Sequence, residues 1–367
     1  MEVNINQLFF ELIQVAIGMR TCLSHTPSVD EWGELYAMAK KQSLVGVCFA
    51  GVQRLQQQRQ EPPEMLYLTW MGMAAKIQQR NEVANQQCVE LQSRLSADGM
   101  DSVVLKGQGV AQYYDPQLRT LRQSGDIDIY VKGGFRKVVA TAQRIAPLGK
   151  ASYVHVDWKV FEDPSTNPGG STEVELHYRP SSLRNLIKNS RFQKWAMSFG
   201  AESYETRGDI VIPPVEFNRI YLLMHCYRHV IGAGIGLRQL MDYYFCLRSE
   251  KLTLQERTHY EELLRAFGLS RFAGAVMYVM AEVFRLDSAY MICELDVKEG
   301  EFFLKQTLIG GNFGRYDNRV ERNSSGGASI MRKLFMNLRY ALHYPDELLW
   351  AIPFRVYTTI WKKTHKI

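Results

Sequence analysis

The stretch RQSGDIDIYV, residues 122–131, decides how this chain is read, because its second half alternates acidic and branched apolar residues. In a strand, successive side chains point to opposite faces and each residue advances about 3.3 Å, which sets Asp126 and Asp128 on one face about 6.6 Å apart along the chain. Ile127 and Ile129 then take the core-facing side. Two unpaired anions this close repel and lift at least one carboxyl pKa. A positive charge is therefore expected between them.

Downstream, TEVELHY (172–178) alternates in the same way, with Glu173, Glu175 and His177 on one face and Val174 and Leu176 on the other. If this strand pairs beside the first, one of its acids joins the two aspartates. Three oxygen donors on adjacent strands make a hard-cation site suited to magnesium, which keeps positions open for water and substrate phosphates. Upstream, VVLKGQG (103–109) ends a strand at Lys106 and Gly107 and opens a helix, where backbone N–H groups and a lysine can cradle phosphate oxygens. These are the parts that nucleotidyl transfer needs: metals that hold a triphosphate, activate a hydroxyl and stabilise the departing pyrophosphate.

Around this centre the hydrophobic period divides the chain. Residues 3–19, 28–58 and about 65–98 read as helices, with Ser28 or Asp30 available as a cap, a break at Pro62 and Pro63, and an end near Gly99. Residues 101–178 read as an α/β module in the order β-α-β-α-β-β, its last two strands drawn from 152–162 and 172–178. Helical periodicity returns at Pro214 and runs to about residue 305, and GGNFGRYDNRVERNSSGGAS (310–329) reads as a mobile loop. The expected divisions are a helical region 1–96, an α/β core 97–212, a helical domain 213–311 and a basic tail 312–367.

The run LKGQGVAQYYDPQLRTLRQSGDIDIYV (105–131), followed by VELHY (174–178), resembles the polymerase β-like nucleotidyltransferase superfamily. More closely it resembles a bacterial group of uncharacterised nucleotidyltransferases (NTP_transf_5-like). The resemblance extends to DEWGELYAMAKKQSLVGVCFAGV (30–52), QRNEVANQQCVELQSRLSADGM (79–100) and LLMHCYRHVIGAGIGLRQLMDYY (222–244), and so covers most of residues 30–250. It implies an α+β fold with a mixed-sheet core flanked by N- and C-terminal helical regions. It also implies transfer of a nucleoside monophosphate from an NTP, with ATP among the candidates, to a hydroxyl of an unidentified acceptor, using two Mg2+ ions. Asp126, Asp128 and Glu175 would be the catalytic metal ligands, one of them serving as base, and Glu175 is preferred over Glu173. Gly107 would be the phosphate-loop glycine, with Lys106 and Arg122 as phosphate contacts. Ser124 and Gly125, just before the first aspartate, belong with the nucleotide contacts, as does Arg238 if it reaches the triphosphate. The chain departs from well-studied members in having KGQG where Gly-Ser or Gly-Gly is usual, eighteen residues between Gly107 and Asp126, and Glu as the third acid.

Other features carry simpler readings. His225 and His229 have the i, i+4 spacing of a zinc pair without the glutamate of HExxH, so they read as partly buried polar groups near the junction with the core; the resemblance implies that one could face the cleft. Arg238 and Asp242, also i, i+4, read most simply as a helix ion pair. The six cysteines are scattered and read as small buried hydrophobes in a reducing cytoplasm. No export signal and no apolar run of membrane-spanning length is seen, so a cytoplasmic location is expected.

The net charge of +6 comes from residues 312–367, which hold ten Lys/Arg against four Asp/Glu while the first 311 residues balance at 34 against 34. That tail could meet RNA or an anionic membrane, but a solvated basic face on C-terminal helices is preferred. The neutral body argues against a polynucleotide track across the core. Two alternatives to catalysis stand beside the enzyme reading: a degenerate nucleotide-binding or antitoxin-like partner-binding protein, and an adaptor acting through the tail.

Overall fold

The computed structural model describes residues 4–162, 172–317 and 339–365. Helices α1 (Ile5–Ala16), α2 (Val29–Lys41), α3 (Val45–Leu55) and α4 (Glu64–Ala97) precede the first strand. Ser28, not Asp30, caps α2: its hydroxyl accepts from the Glu31 N–H and the Glu31 carboxylate accepts from the Ser28 N–H, a reciprocal capping box. The single helix expected over 28–58 is broken into two. Ser43 sits at φ +56°, and the buried Gln42 amide donates to Thr307 O and accepts from Leu237 N. A distant contact fixes this break, with neither Gly nor Pro to announce it.

Helix α4 is about 50 Å long at 1.5 Å per residue, and it carries buried amides that hold the loops of the α/β core. Asn81 Nδ2 donates to the carbonyls of Thr120 (2.6 Å) and Arg122 (2.5 Å), which fixes the approach to the aspartates. Gln92 donates to Ser102 O and Val211 O, tying the first strand to a hairpin 100 residues later.

The core sheet has five strands in the order β1-β2-β5-β4-β3, with β1 (Ser102–Val104), β2 (Ile127–Val131), β3 (Leu148–Ala151), β4 (His155–Trp158) and β5 (Val174–His177). Only β2 and β5 run parallel; the other neighbours are antiparallel. Between β1 and β2 lie two one-turn helices, α5 (Gln108–Ala111) and α6 (Pro116–Arg119), and α7 (Gly134–Ile145) links β2 to β3. Strand β3 and the two-stranded hairpin β6 (Glu205–Arg207) and β7 (Ile210–Ile212) have no counterpart in the sequence reading. The β3 residues LGKA carry one Gly and one Lys at a half-buried edge, so neither composition nor alternation marks them.

After α8 (Leu186–Ala196), helices α9 (Val215–Gly232), α10 (Leu237–Arg248), α11 (Leu254–Phe267), α12 (Ser270–Phe284) and α13 (Val297–Gly310) complete the helical half. One continuous apolar core runs from Leu8 to Trp361. Of the segment expected to be a mobile loop, Gly310–Asn312 and Gly314 are buried, Arg315 and Tyr316 are exposed, and 318–329 lie outside the described residues. The basic positions Arg319, Arg322, Arg332, Lys333 and Lys366 lie outside them too.

The C-terminal helix Ala351–Thr364 seats Trp361 against Phe135, Tyr153 and Tyr178, with ring centroids 5.2, 5.5 and 5.9 Å away, and leaves Arg355, Lys362 and Lys363 exposed. All six cysteines are free, and all but the half-buried Cys22 are buried. Among the described residues no helix is long and apolar enough to cross a membrane.

Candidate active site

Parallel pairing of β2 with β5 places Asp128 directly beside Glu175 in register. Asp126, at the entry to β2, completes a triad in which one carboxylate oxygen from each residue lies within 4.8 Å of the others. The two isoleucines on the opposite face are fully buried, as the alternation requires. Glu173 is exposed and contributes its carbonyl to the Ile127 N–H instead.

The expected positive charge comes from the chain itself. Lys106 Nζ lies 3.0 Å from Asp128 Oδ2 and 3.5 Å from Asp126 Oδ2. Burial pulls its pKa down, but the fields of Asp128, Asp126 and Glu175 prevail and hold it above the ordinary lysine range. Lys106, expected at a phosphate, is thus paired to the aspartates. Asp128 Oδ2 is wholly enclosed and has no well-formed hydrogen bond, so Lys106 balances it by charge. The other oxygen, Oδ1, lies 2.9 Å from His177 Nε2.

Glu175 is more accessible than Asp128, with His177 Nε2 and His155 Nδ1 each 3.2 Å from its Oε2. Burial would raise its pKa; the His177 hydrogen bond and the Lys106 charge outweigh burial and bring it to about 2. His177 is also buried, yet its contacts with Asp128 and Glu175 leave its pKa raised, whereas burial keeps that of His155 lowered.

Gly107 makes the turn beside Lys106 with φ +58° and ψ −116°, and a Cβ there would come 3.3 Å from Asp126 O. This backbone region disfavours every residue except glycine. The helix it opens, α5, is a single turn, so its dipole contribution is smaller than a full helix would supply.

The remaining residues expected to touch nucleotide divide. Arg122 makes a bidentate pair with Asp242, Nε to Oδ1 at 2.6 Å and Nη2 to Oδ2 at 2.7 Å, and Tyr114 Oη donates to the same carboxylate at 2.7 Å. Both side chains of the pair are almost fully buried. The ion pair expected between Arg238 and Asp242 is replaced by this one, and Nε and Nη2 of the Arg122 fork are both committed to Asp242.

Arg238 instead donates from Nη1 to Gln123 O at 3.0 Å, and its buried Nε has no hydrogen-bond partner. Burial and the neighbouring Arg122 bring its pKa to about 10, so it stays cationic at neutral pH. Its Nη1 stands 3.9 Å from the point where a Cβ on Gly125 would lie. Ser124 is half-buried in the loop just before.

A cavity of about 330 Å3 opens beside the triad. Asp126, Glu175, His155 and His177 form its sheet wall, and α9 forms the other through Tyr221, His225, Arg228 and His229. Both α9 histidines therefore face the cleft, with ring centroids 4.4 Å apart. Burial and the Lys106 charge hold His225 well below the ordinary histidine range and His229 at about 3, so both rings are neutral.

Phe313 caps this cavity, 5.1 Å from the His229 ring. It adopts a left-handed backbone, φ 53° and ψ 32°, which non-glycine residues rarely do. The following Gly314 packs so closely that a Cβ would meet Ala233 O at 2.2 Å, so the loop is wedged against the end of α9.

Sequence reading missed Phe313, although its place between glycines in GGNFG was a signal. It also missed His155, which follows from the cross-strand register of His155 with His177.

A mixed sheet that presents two aspartates and a third acid on adjacent central strands, beside a glycine turn, is consistent with a nucleotidyltransferase core. The family model described as "Uncharacterised nucleotidyltransferase" matches residues 28–285. The chain belongs to that family. No curated protein and no solved structure matches it.

Proposed function

We propose that the protein is a magnesium-dependent nucleotidyltransferase that moves a nucleoside monophosphate from an NTP to an acceptor hydroxyl. The observation that carries this reading is the register of Asp128 beside Glu175, which gathers three hard oxygen donors, two of them from residues lining a cavity. The donor set fits magnesium, and the enclosed Asp128 Oδ2, balanced only by a lysine charge, fits a cation that binds there more directly. Asp126, Asp128 and Glu175 would hold the metal, which when bound neutralises the triphosphate and makes the attacking hydroxyl more acidic.

The chain's own residues do the rest. Lys106, exchanged from the aspartates, turns its ammonium to a phosphate oxygen. Arg238, whose Nη1 lies beside Gly125, has an unpartnered Nε–H to offer. Glu175, ionised down to about pH 2, is suited to holding a cation and not to taking a proton. The hydroxyl proton is assigned to Asp126, the most exposed of the three side chains at 38%. The wedged Phe313 closes the cavity above.

A second reading has one observation in its favour: Lys106 already sits where a cation would bridge Asp126 and Asp128, as it would in a protein that binds nucleotide or a partner without turnover. Calorimetry with NTP and Mg2+, followed by pyrophosphate release in the presence of cell lysate, separates the two. Asp128→Asn is expected to lower pyrophosphate release by at least about 100-fold, the scale on which even weaker perturbations of a metal site act. Nucleotide binding without pyrophosphate release supports the second reading. If wild type binds no Mg2+·NTP and Asp128→Asn changes nothing, the transferase reading is wrong.

A further inference from the structure

We propose that His155, Glu175 and His177 form a second cation site, with mixed nitrogen and oxygen donors, that takes a divalent transition-metal ion in preference to Mg2+. It adjoins the triad, shares Glu175 with it, and deepens the transferase reading by making the two cation positions chemically unlike.

One donor atom from each of the three residues lies within 4.8 Å of the others, and the imidazole nitrogens His155 Nδ1 and His177 Nε2 both stand 3.2 Å from the same oxygen, Glu175 Oε2. Ligands about 2.1 Å from a common ion are about 3.0 Å apart at octahedral cis positions and about 3.4 Å apart in a tetrahedron. Both nitrogen-to-oxygen spacings fall between these two, so each histidine is already at ligand distance from Glu175 for a shared ion, with the two nitrogens within 4.8 Å of one another. The register supports this, because His155 and His177 are directly opposite on antiparallel β4 and β5, and both rings line the cavity through which an ion enters.

The second observation is the tautomer of His177. Its Nδ1 lies 3.2 Å from Arg179 O, a carbonyl that can only accept, so Nδ1 carries a hydrogen. In the neutral ring Nε2 then presents a lone pair, and it faces two further acceptors, Asp128 Oδ1 at 2.9 Å and Glu175 Oε2 at 3.2 Å. Three acceptor atoms directed at one another need a proton or a metal cation between them. A backbone carbonyl that orients a ligating imidazole through its other nitrogen is the usual outer support of a histidine metal site.

Donor chemistry selects the ion. Imidazole suits zinc, cobalt, nickel and copper, and magnesium favours an all-oxygen shell. The all-carboxylate triad and the His/His/Glu cluster thus differ in preference although they share a ligand.

The test uses the full-length protein with Co2+ as a spectroscopic probe. One equivalent should give a visible d–d band that persists in a large excess of Mg2+, and Zn2+ should displace it. His155→Ala, at a half-buried position, should weaken Co2+ binding at least tenfold, with a circular dichroism spectrum matching wild type to show that the variant folds. Asp126→Asn, outside the cluster, should keep the band.

Absence of the band, its loss to Mg2+ at near-stoichiometric concentration, or insensitivity to His155→Ala would overturn the proposal; in each case His177 is simply protonated within a hydrogen-bond network. Loss of the band in His229→Ala but not in His155→Ala would place the ion on α9 and overturn it equally. Retention of the band in Asp126→Asn, combined with unchanged Mg2+·NTP binding in that variant, would sink the transferase reading while this site stands.

Discussion

Arg122→Ala separates a phosphate contact from a structural role. In the folded protein Arg122 and Asp242 are both nearly fully buried and joined by two short hydrogen bonds, with Tyr114 Oη as the other hydrogen-bond donor to the carboxylate. Removing the guanidinium leaves a buried anion with one neutral donor, and breaking a buried pair in this way costs about 3–5 kcal/mol. At roughly 2 cal/mol/K of unfolding entropy per residue, a chain of this length loses between one and two °C per kcal/mol. The melting temperature should therefore fall by about 4–7 °C.

Circular dichroism melts with and without Mg2+·NTP measure this shift. The double variant Arg122→Met with Asp242→Leu should recover most of the loss, because it removes both charges together. An Arg122→Ala protein that melts within about a degree of wild type and binds NTP tenfold more weakly would refute this assignment. Arg122 would then belong to the triphosphate, as the resemblance alone implied.

Two further outcomes follow from the site. The pH dependence of stability in metal-free buffer should have two limbs. The Glu175 pKa is depressed in the folded state, so its stabilising contribution is present above the ordinary value of 4.5 and is lost as pH falls toward about 2. The His177 pKa is raised, so its contribution is present below the ordinary 6.5 and is lost as pH rises through the folded value. Melts across pH 2–9 should show Glu175→Gln flattening the acid limb and His177→Gln the upper one; unchanged limbs would contradict these couplings. Gly107→Ala forces a side chain into φ +58° and ψ −116° against Asp126 O, which should cost about 1–3 kcal/mol and weaken NTP binding. An alanine variant as stable as wild type would show that the turn tolerates a Cβ.

The sequence by itself determined the strand that carries Asp126 and Asp128, because alternation at period two and burial of the isoleucines are local properties. It determined the strand bearing Glu175 for the same reason, the long helical stretches from their period, and the turn at Gly107 from its residue type. Two short hairpin elements escaped it, since β3 and the β6–β7 pair are three or four residues long and are stabilised by partners and not by propensity.

Only the tertiary structure decided which charges meet. Arg238 and Asp242 are neighbours on one helix, yet Asp242 pairs with Arg122 from 120 residues away, because the loop held by Asn81 brings that guanidinium into the core. Lys106 could have faced solvent or phosphate, and the closure of β1 on β2 aims it at the aspartates. His155, His229 and Phe313 come from three separated segments and meet at one cavity. Periodicity along a chain reports which face of an element is apolar. The partner across the gap depends on register and packing between elements distant in sequence, and those are settled only when the whole core closes.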